Sequence, residues 1–161
     1  MKFFAAATLL LAATTTQSAH AADTATLLLR GIVAVVNNIE VTPNGSSNLS
    51  LNITGGESNK LVAAVVETSN NVTGYKINVK SLNQGELRHT VDATRKTTYR
   101  LGYNGQTPVA LTQNYQQVKS VTSLNGLTAA SSAVVVDVQA LPNAVAGTYE
   151  DTVTFQIVAN N

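Results

Sequence analysis

The 161-residue chain has no cysteine and no tryptophan, only three prolines, and a charged fraction of 12%. Without cysteine there is no disulfide, no thiolate metal site and no thiol nucleophile. Ten Lys and Arg against nine Asp and Glu leave a formal charge of +1. That field is too weak to gather nucleic acid or an acidic lipid surface, so neither is expected as a partner. The scarcity of charge also argues against disorder, because disordered chains combine low hydrophobicity with high net charge. No glycine-rich phosphate loop occurs: Thr54-Gly-Gly-Glu57 lacks the Lys-Ser/Thr that would hold a nucleotide. What the chain has in quantity is Thr, Asn and Val, a mixture suited to pleated, half-buried surfaces joined by turns.

Residues 1–22 read as a secretory signal. Met1-Lys2 is the positive start, Phe3–Ala13 the apolar run, and Ala19-His20-Ala21 the small-x-small pattern of a cleavage site, with Ala22 as an alternative cut point. The run is well short of the roughly 20 residues that a spanning helix needs. Cleavage removes Lys2 and so balances the acidic and basic residues of the mature chain. No later run approaches spanning length, and no membrane insertion is expected.

Beyond the leader, hydrophobic residues alternate at period two, the pattern of half-buried strands. Leu49, Leu51 and Ile53 alternate in Asn48–Ile53, Tyr75, Ile77 and Val79 in Gly74–Lys80, and Tyr99, Leu101 and Tyr103 in Thr98–Tyr103. Ala133–Val138 and Thr148–Ile157 complete the series, the last with Tyr149, Val153, Phe155 and Ile157 on one face. Leu61–Val66 is apolar throughout and rich in β-branched valine, which favours a buried strand over a short helix. Turn signals separate these runs, among them Pro43-Asn-Gly-Ser46, Asn104-Gly105 and Asn125-Gly126. No window sustains a 3.6-residue period. The expected class is all-β, a two-sheet sandwich.

The mature N-terminus, Thr24–Val36, is unusual. Such ends are commonly polar and frayed, whereas this one is apolar on both faces. Its odd positions, Leu27, Leu29, Gly31, Val33 and Val35, form a charge-free stripe, and the even set contains Arg30. Such a segment needs a partner. One option is its own sheet, as a buried first strand. The other is a groove on a second copy, into which a strand is donated with alternate side chains in pockets and Gly31 at a narrow point.

Both ends resemble a known family. Ala146-Gly-Thr-Tyr-Glu-Asp-Thr-Val-Thr-Phe-Gln-Ile-Val158 resembles the final strand of chaperone–usher-type fimbrial (pilin) subunits, and is most similar to the branch related to spore coat protein U. Leu29–Val36 is similar to the glycine-containing alternating leader of those subunits, and Glu67–Val79 to their central strand-to-strand sequence. The resemblance implies an immunoglobulin-like β-sandwich that lacks its last strand and is completed by a donated one. It further implies a donor segment at residues 23–36, with Leu27, Leu29, Gly31, Val33 and Val35 as the inserted side chains, and a pilin-like domain over 37–161. The edge of the acceptor groove maps to Tyr149, Val153, Phe155 and Ile157. The implied partners are identical or related subunits, with a periplasmic chaperone and an outer-membrane usher during assembly. The implied location is the cell surface, reached through the periplasm. The rival expectation is a self-contained secreted module that binds carbohydrate or another surface component.

Catalysis is not expected. His89 is the one histidine after the leader, and no nucleophile-elbow motif accompanies it. With Asp92 it supplies too few ligands for a metal, and no cofactor is implied. It reads as a surface residue on a polar strand. Arg88, Arg95, Lys96 and Arg100 form the one basic concentration, read as a solvated hairpin offset by Glu86 and Asp92. Asn-x-Ser/Thr sequons at Asn44, Asn48, Asn52 and Asn71 are expected by chance in so asparagine-rich a chain.

Overall fold

The computed structural model describes residues 24–45 and 50–161. The signal segment expected over residues 1–22, Asp23 of the donor segment, and Asn48-Leu49 of the first expected strand lie outside them. The chain divides into two units, Met1–Val33 and Ala34–Asn161. In the first, Thr24–Val33 has no regular secondary structure. Ala34–Val36 belong with the second unit.

That unit is all-β, with ten strands and no helix among the described residues: β1 (Asn37–Pro43), β2 (Glu57–Ser69), β3 (Tyr75–Ser81), β4 (Glu86–His89), β5 (Lys96–Tyr103), β6 (Val109–Ala110), β7 (Gln116–Val121), β8 (Thr128–Val138), β9 (Tyr149–Glu150) and β10 (Val153–Ala159). A large antiparallel sheet runs β1-β2-β8-β5-β4-β9, with β6 also on β5, and a small one runs β10-β3-β7. No helix among the described residues is long and apolar enough to cross a membrane.

The alternating runs form strands because one phase can be buried while the other meets water. Ala63 and Val65 of β2, Ile77 and Val79 of β3, Leu101 and Tyr103 of β5, and Val134 and Val136 of β8 make a single core between the sheets. Two expected strands are corrected. Residues 50–53 are coil and turn, because Asn52 folds the chain locally: its Oδ1 accepts from the Gly55 N–H at 2.8 Å and its carbonyl from the Gly56 N–H at 2.9 Å. This turn outcompetes the ladder, as asparagine commonly does. The run Thr148–Ile157 is two strands in different sheets: β9 pairs with β4, and β10 pairs with β3.

A buried carboxylate ties the two sheets together. Glu67 of β2 is fully buried; its oxygens accept from Tyr103 of β5 and Ser132 of β8 in the large sheet, and from Tyr75 of β3 and Lys119 of β7 in the small one. The Lys119 ammonium lies 2.7 Å away. Burial alone would raise the Glu67 carboxyl; the ammonium and three hydroxyl donors outweigh it and hold it below the ordinary carboxylate range. Burial and the Glu67 charge push the Tyr75 and Tyr103 hydroxyls upward.

Candidate functional site

The donor residues expected from the sequence stand in the open. Leu27, Leu28, Leu29, Ile32 and Val33 are each more than four-fifths exposed, and Val35 is 69% exposed. A Cβ added to Gly31 would meet nothing within 4 Å among the described residues. Aliphatic side chains in such a row cost free energy in water at about 25 cal/mol per Å² of exposed apolar area. The segment is a strand in composition without a ladder to join.

The second unit has an edge that matches this need. In the small sheet, β10 is hydrogen-bonded to β3 on one side and, among the described residues, to no strand on the other. The register puts Phe155 opposite Val79 and Ile157 opposite Ile77, so all four face the core. Yet Ile77 and Val79 are 0% exposed while Phe155 and Ile157 are only half-buried. Across the core, β1 is the edge of the large sheet, and there Val41 faces the same way as its fully buried partner Val65 but is 45% exposed. Core-facing residues on both edges are therefore only partly covered, along a seam between β1 and β10.

The two edges run in opposite directions. The start of β1 adjoins Asn70, and the end of β10 adjoins Asn71, whose Nδ2 donates to the Asn160 carbonyl at 3.0 Å. At the other end of the seam Val153 opens β10 beside a cleft of about 810 Å³, lined by Leu51, Val62, Leu82, Tyr99 and Tyr149 among others. Of the four groove residues expected from the sequence, Val153, Phe155 and Ile157 share the core-facing side of β10. Tyr149 lies on β9 in the large sheet, beyond the break at Asp151-Thr152.

Asp151 makes that break, and sequence reasoning missed it. Its carboxylate accepts from Tyr99 Oη at 2.6 Å, Ser81 Oγ at 2.5 Å, the Asn83 N–H at 2.9 Å and the Thr152 N–H at 2.7 Å. The bonds reach both sheets and turn the chain from one to the other. The signal was the acidic pair Glu150-Asp151 inside an otherwise uncharged run. Asn70 was also missed. Its Oδ1 accepts from the Val36 N–H at 2.7 Å, its Nδ2 donates to the Ala34 carbonyl at 2.8 Å, and its N–H donates to the Val36 carbonyl at 3.2 Å.

His89 is corrected from a surface residue to a buried one, packed edge-on against Tyr149 at 5.2 Å between ring centroids. Its Nδ1 accepts from the Val91 and Asp92 N–H groups at 3.2 Å each, which assigns the proton to Nε2, 3.2 Å from the Ala146 carbonyl. Gly147, at φ +146°, makes room for the ring: a Cβ there would stand 2.0 Å from Nε2. Both ring nitrogens thus have backbone partners. Two members of the basic concentration share one acid: Glu86 holds Lys96 and Arg88 at 2.7 Å each, and those cations keep its carboxyl below the ordinary range. Asp92, lowered by hydrogen bonds from Thr94, pairs with Arg95 at 3.5 Å.

No protein-family model and no curated protein matches the chain.

Proposed function

We propose that the protein is a structural subunit of a surface fibre that polymerises without covalent links by donating its N-terminal arm to the seam of the next copy. The observation that carries this is the step in exposure between paired positions, from Ile77 and Val79 on β3 to Ile157 and Phe155 on β10. An edge strand with uncovered core side chains is an aggregation hazard that natural folds cap. A donated strand would cap it, joining the β10 ladder by its backbone and covering Phe155, Ile157 and Val41 with Leu27, Leu29, Val33 and Val35. Burial of four aliphatic side chains contributes about 6–12 kcal/mol before ordering costs. With that strand the fold is an immunoglobulin-like sandwich, incomplete in the single chain.

The polarity of the seam favours a filament. Every pairing in the small sheet is antiparallel, so an incoming arm that keeps the pattern has its root at the Val153 end of the acceptor. Each donor carries its own root at the other end, beside Asn70. Donor and acceptor then meet head to tail, a heterologous contact that repeats without closing. On this reading the chain is exported through the periplasm, and a chaperone and usher guard the open edge until assembly. A self-contained binding module is less well supported, because the cleft's central acid serves the fold: Asp151 spends both oxygens on Tyr99, Ser81, Asn83 and Thr152.

Deleting residues 24–33 is expected to abolish polymers seen by light scattering and negative-stain microscopy. A synthetic peptide of residues 24–36 is then expected to raise the melting temperature of the truncated chain. Polymers that persist after the deletion, or a truncated chain indifferent to the peptide, overturn the proposal.

A further inference from the structure

We infer that Asn70 decides between donation to a neighbour and insertion into the chain's own seam, by holding Ala34–Val36 in line with β1. The inference rests on the strand-donation reading. The β1–β2 ladder pairs Asn37 with Ser69, so the next pair in register is Val36 with Asn70. There the main chain of β2 turns away through Asn71 and Gly74 toward β3. The Asn70 N–H still donates to the Val36 carbonyl, as an ordinary ladder bond at 3.2 Å. The reciprocal bond is supplied by the side chain, whose Oδ1 accepts from the Val36 N–H at 2.7 Å. Its Nδ2 then donates to the Ala34 carbonyl at 2.8 Å, filling the place of a strand residue two positions further on. One amide thus stands in for a missing piece of β2 and prolongs the direction of β1 through Ala34.

That direction matters for where the arm can go. To enter its own seam the arm would have to reverse sharply between Ala34 and Asn37 and return alongside β1. It would then run parallel to β10, against the antiparallel order of the small sheet. The Asn70 side chain forbids this reversal, because the N–H and carbonyl groups that a hairpin would redirect are already committed. The arm is left available only to another molecule.

The test compares the full mature chain with its Asn70→Ala and Asn70→Asp variants, refolded at equal concentration. Light scattering reports the monomer fraction, and amide exchange reports protection along β10. For Asn70→Ala the monomer fraction is expected to rise about fivefold, the response to a loss on the scale of one surface hydrogen-bond cluster. Those monomers are expected to show β10 amides protected by their own arm. Asn70→Asp retains the acceptor for Val36 and loses the donor to Ala34, and is expected to fall between the two. The inference is overturned if Asn70→Ala assembles like the parent chain while deletion of residues 24–33 abolishes assembly. It is also overturned if the new monomers exchange freely along β10. If the deletion leaves assembly intact, strand donation itself fails and the inference falls with it.

Discussion

Glu67 shows how a single side chain does work that a cysteine-free chain cannot assign to a disulfide. Four donors converge on it from four strands in two sheets, so its loss strands partners on both sides of the core. Replacing Glu67 by Gln turns an acceptor-only group into one that is half donor and leaves Lys119 without its counter-ion. Removing one member of a buried pair costs about 3 kcal/mol or more. The cost depends on pH in a defined direction. The folded carboxyl is held below the ordinary range, so its contribution is complete above the unfolded value, about pH 4.3, and disappears as pH falls through the lower folded value. Thermal melts of parent and Glu67→Gln are therefore expected to differ most near neutrality and to converge below about pH 4. A gap of constant size across that range would show that ionisation of Glu67 contributes nothing.

Among the elements, legibility followed hydrophobic contrast. β3, β5 and β8 could be read because one face is aliphatic or aromatic and the other polar, as in Tyr75, Ile77 and Val79 against Lys76, Asn78 and Lys80. β7 could not: Gln116-Gln-Val-Lys-Ser-Val121 offers little alternation, and Lys119 points inward only because Glu67 waits for it. The run 50–53 alternated correctly but lost to the Asn52 turn, while Leu51 and Ile53 still pack on the core. The division at Asp151 escaped notice because it keeps period two across a change of sheet. Of the candidate site, the arm and three β10 residues were readable from alternation; Asn70 was not, since its partners are backbone atoms whose position depends on the β1–β2 register. Asp151 offers a test at this scale. Asp151→Ala would leave the Tyr99 hydroxyl and the buried Ser81 hydroxyl without this acceptor, a loss of about 2–4 kcal/mol. The damage should concentrate where β9 hands over to β10. Amide exchange is expected to accelerate first at Asn83 and Thr152, whose N–H groups Asp151 accepts. Uniform acceleration across β2 and β8 instead would mean that Asp151 supports the core as a whole and not the crossing.

At the scale of the whole molecule, folding and assembly place their demands on different residues, and this separation can be exploited. The core residues Val65, Ile77, Val79 and Val134 all lie in the unit that begins at Ala34, so changes in Thr24–Val33 should leave its melting untouched. Gly31 is the sharpest case. A Cβ added there meets nothing within 4 Å among the described residues, so Gly31→Leu is expected to bring no clash and no loss of packing in the single molecule. In a donated strand the same position falls in the middle of the inserted stripe, between Leu29 and Val33, where backbone must approach backbone and a leucine has to displace groove residues. Overpacking of this kind costs about 1–3 kcal/mol per site, and a filament repeats the penalty at every junction. Gly31→Leu is therefore expected to give a monomer that melts at the parent temperature and polymers reduced at least roughly tenfold, since about 1.4 kcal/mol per junction already corresponds to that factor. Light scattering at matched concentration reads the second quantity, and calorimetry of the monomer reads the first. Polymers of undiminished length would mean that the groove is wide at this point or that the arm enters in another register. A lowered monomer melting temperature would mean that the arm already packs on its own chain.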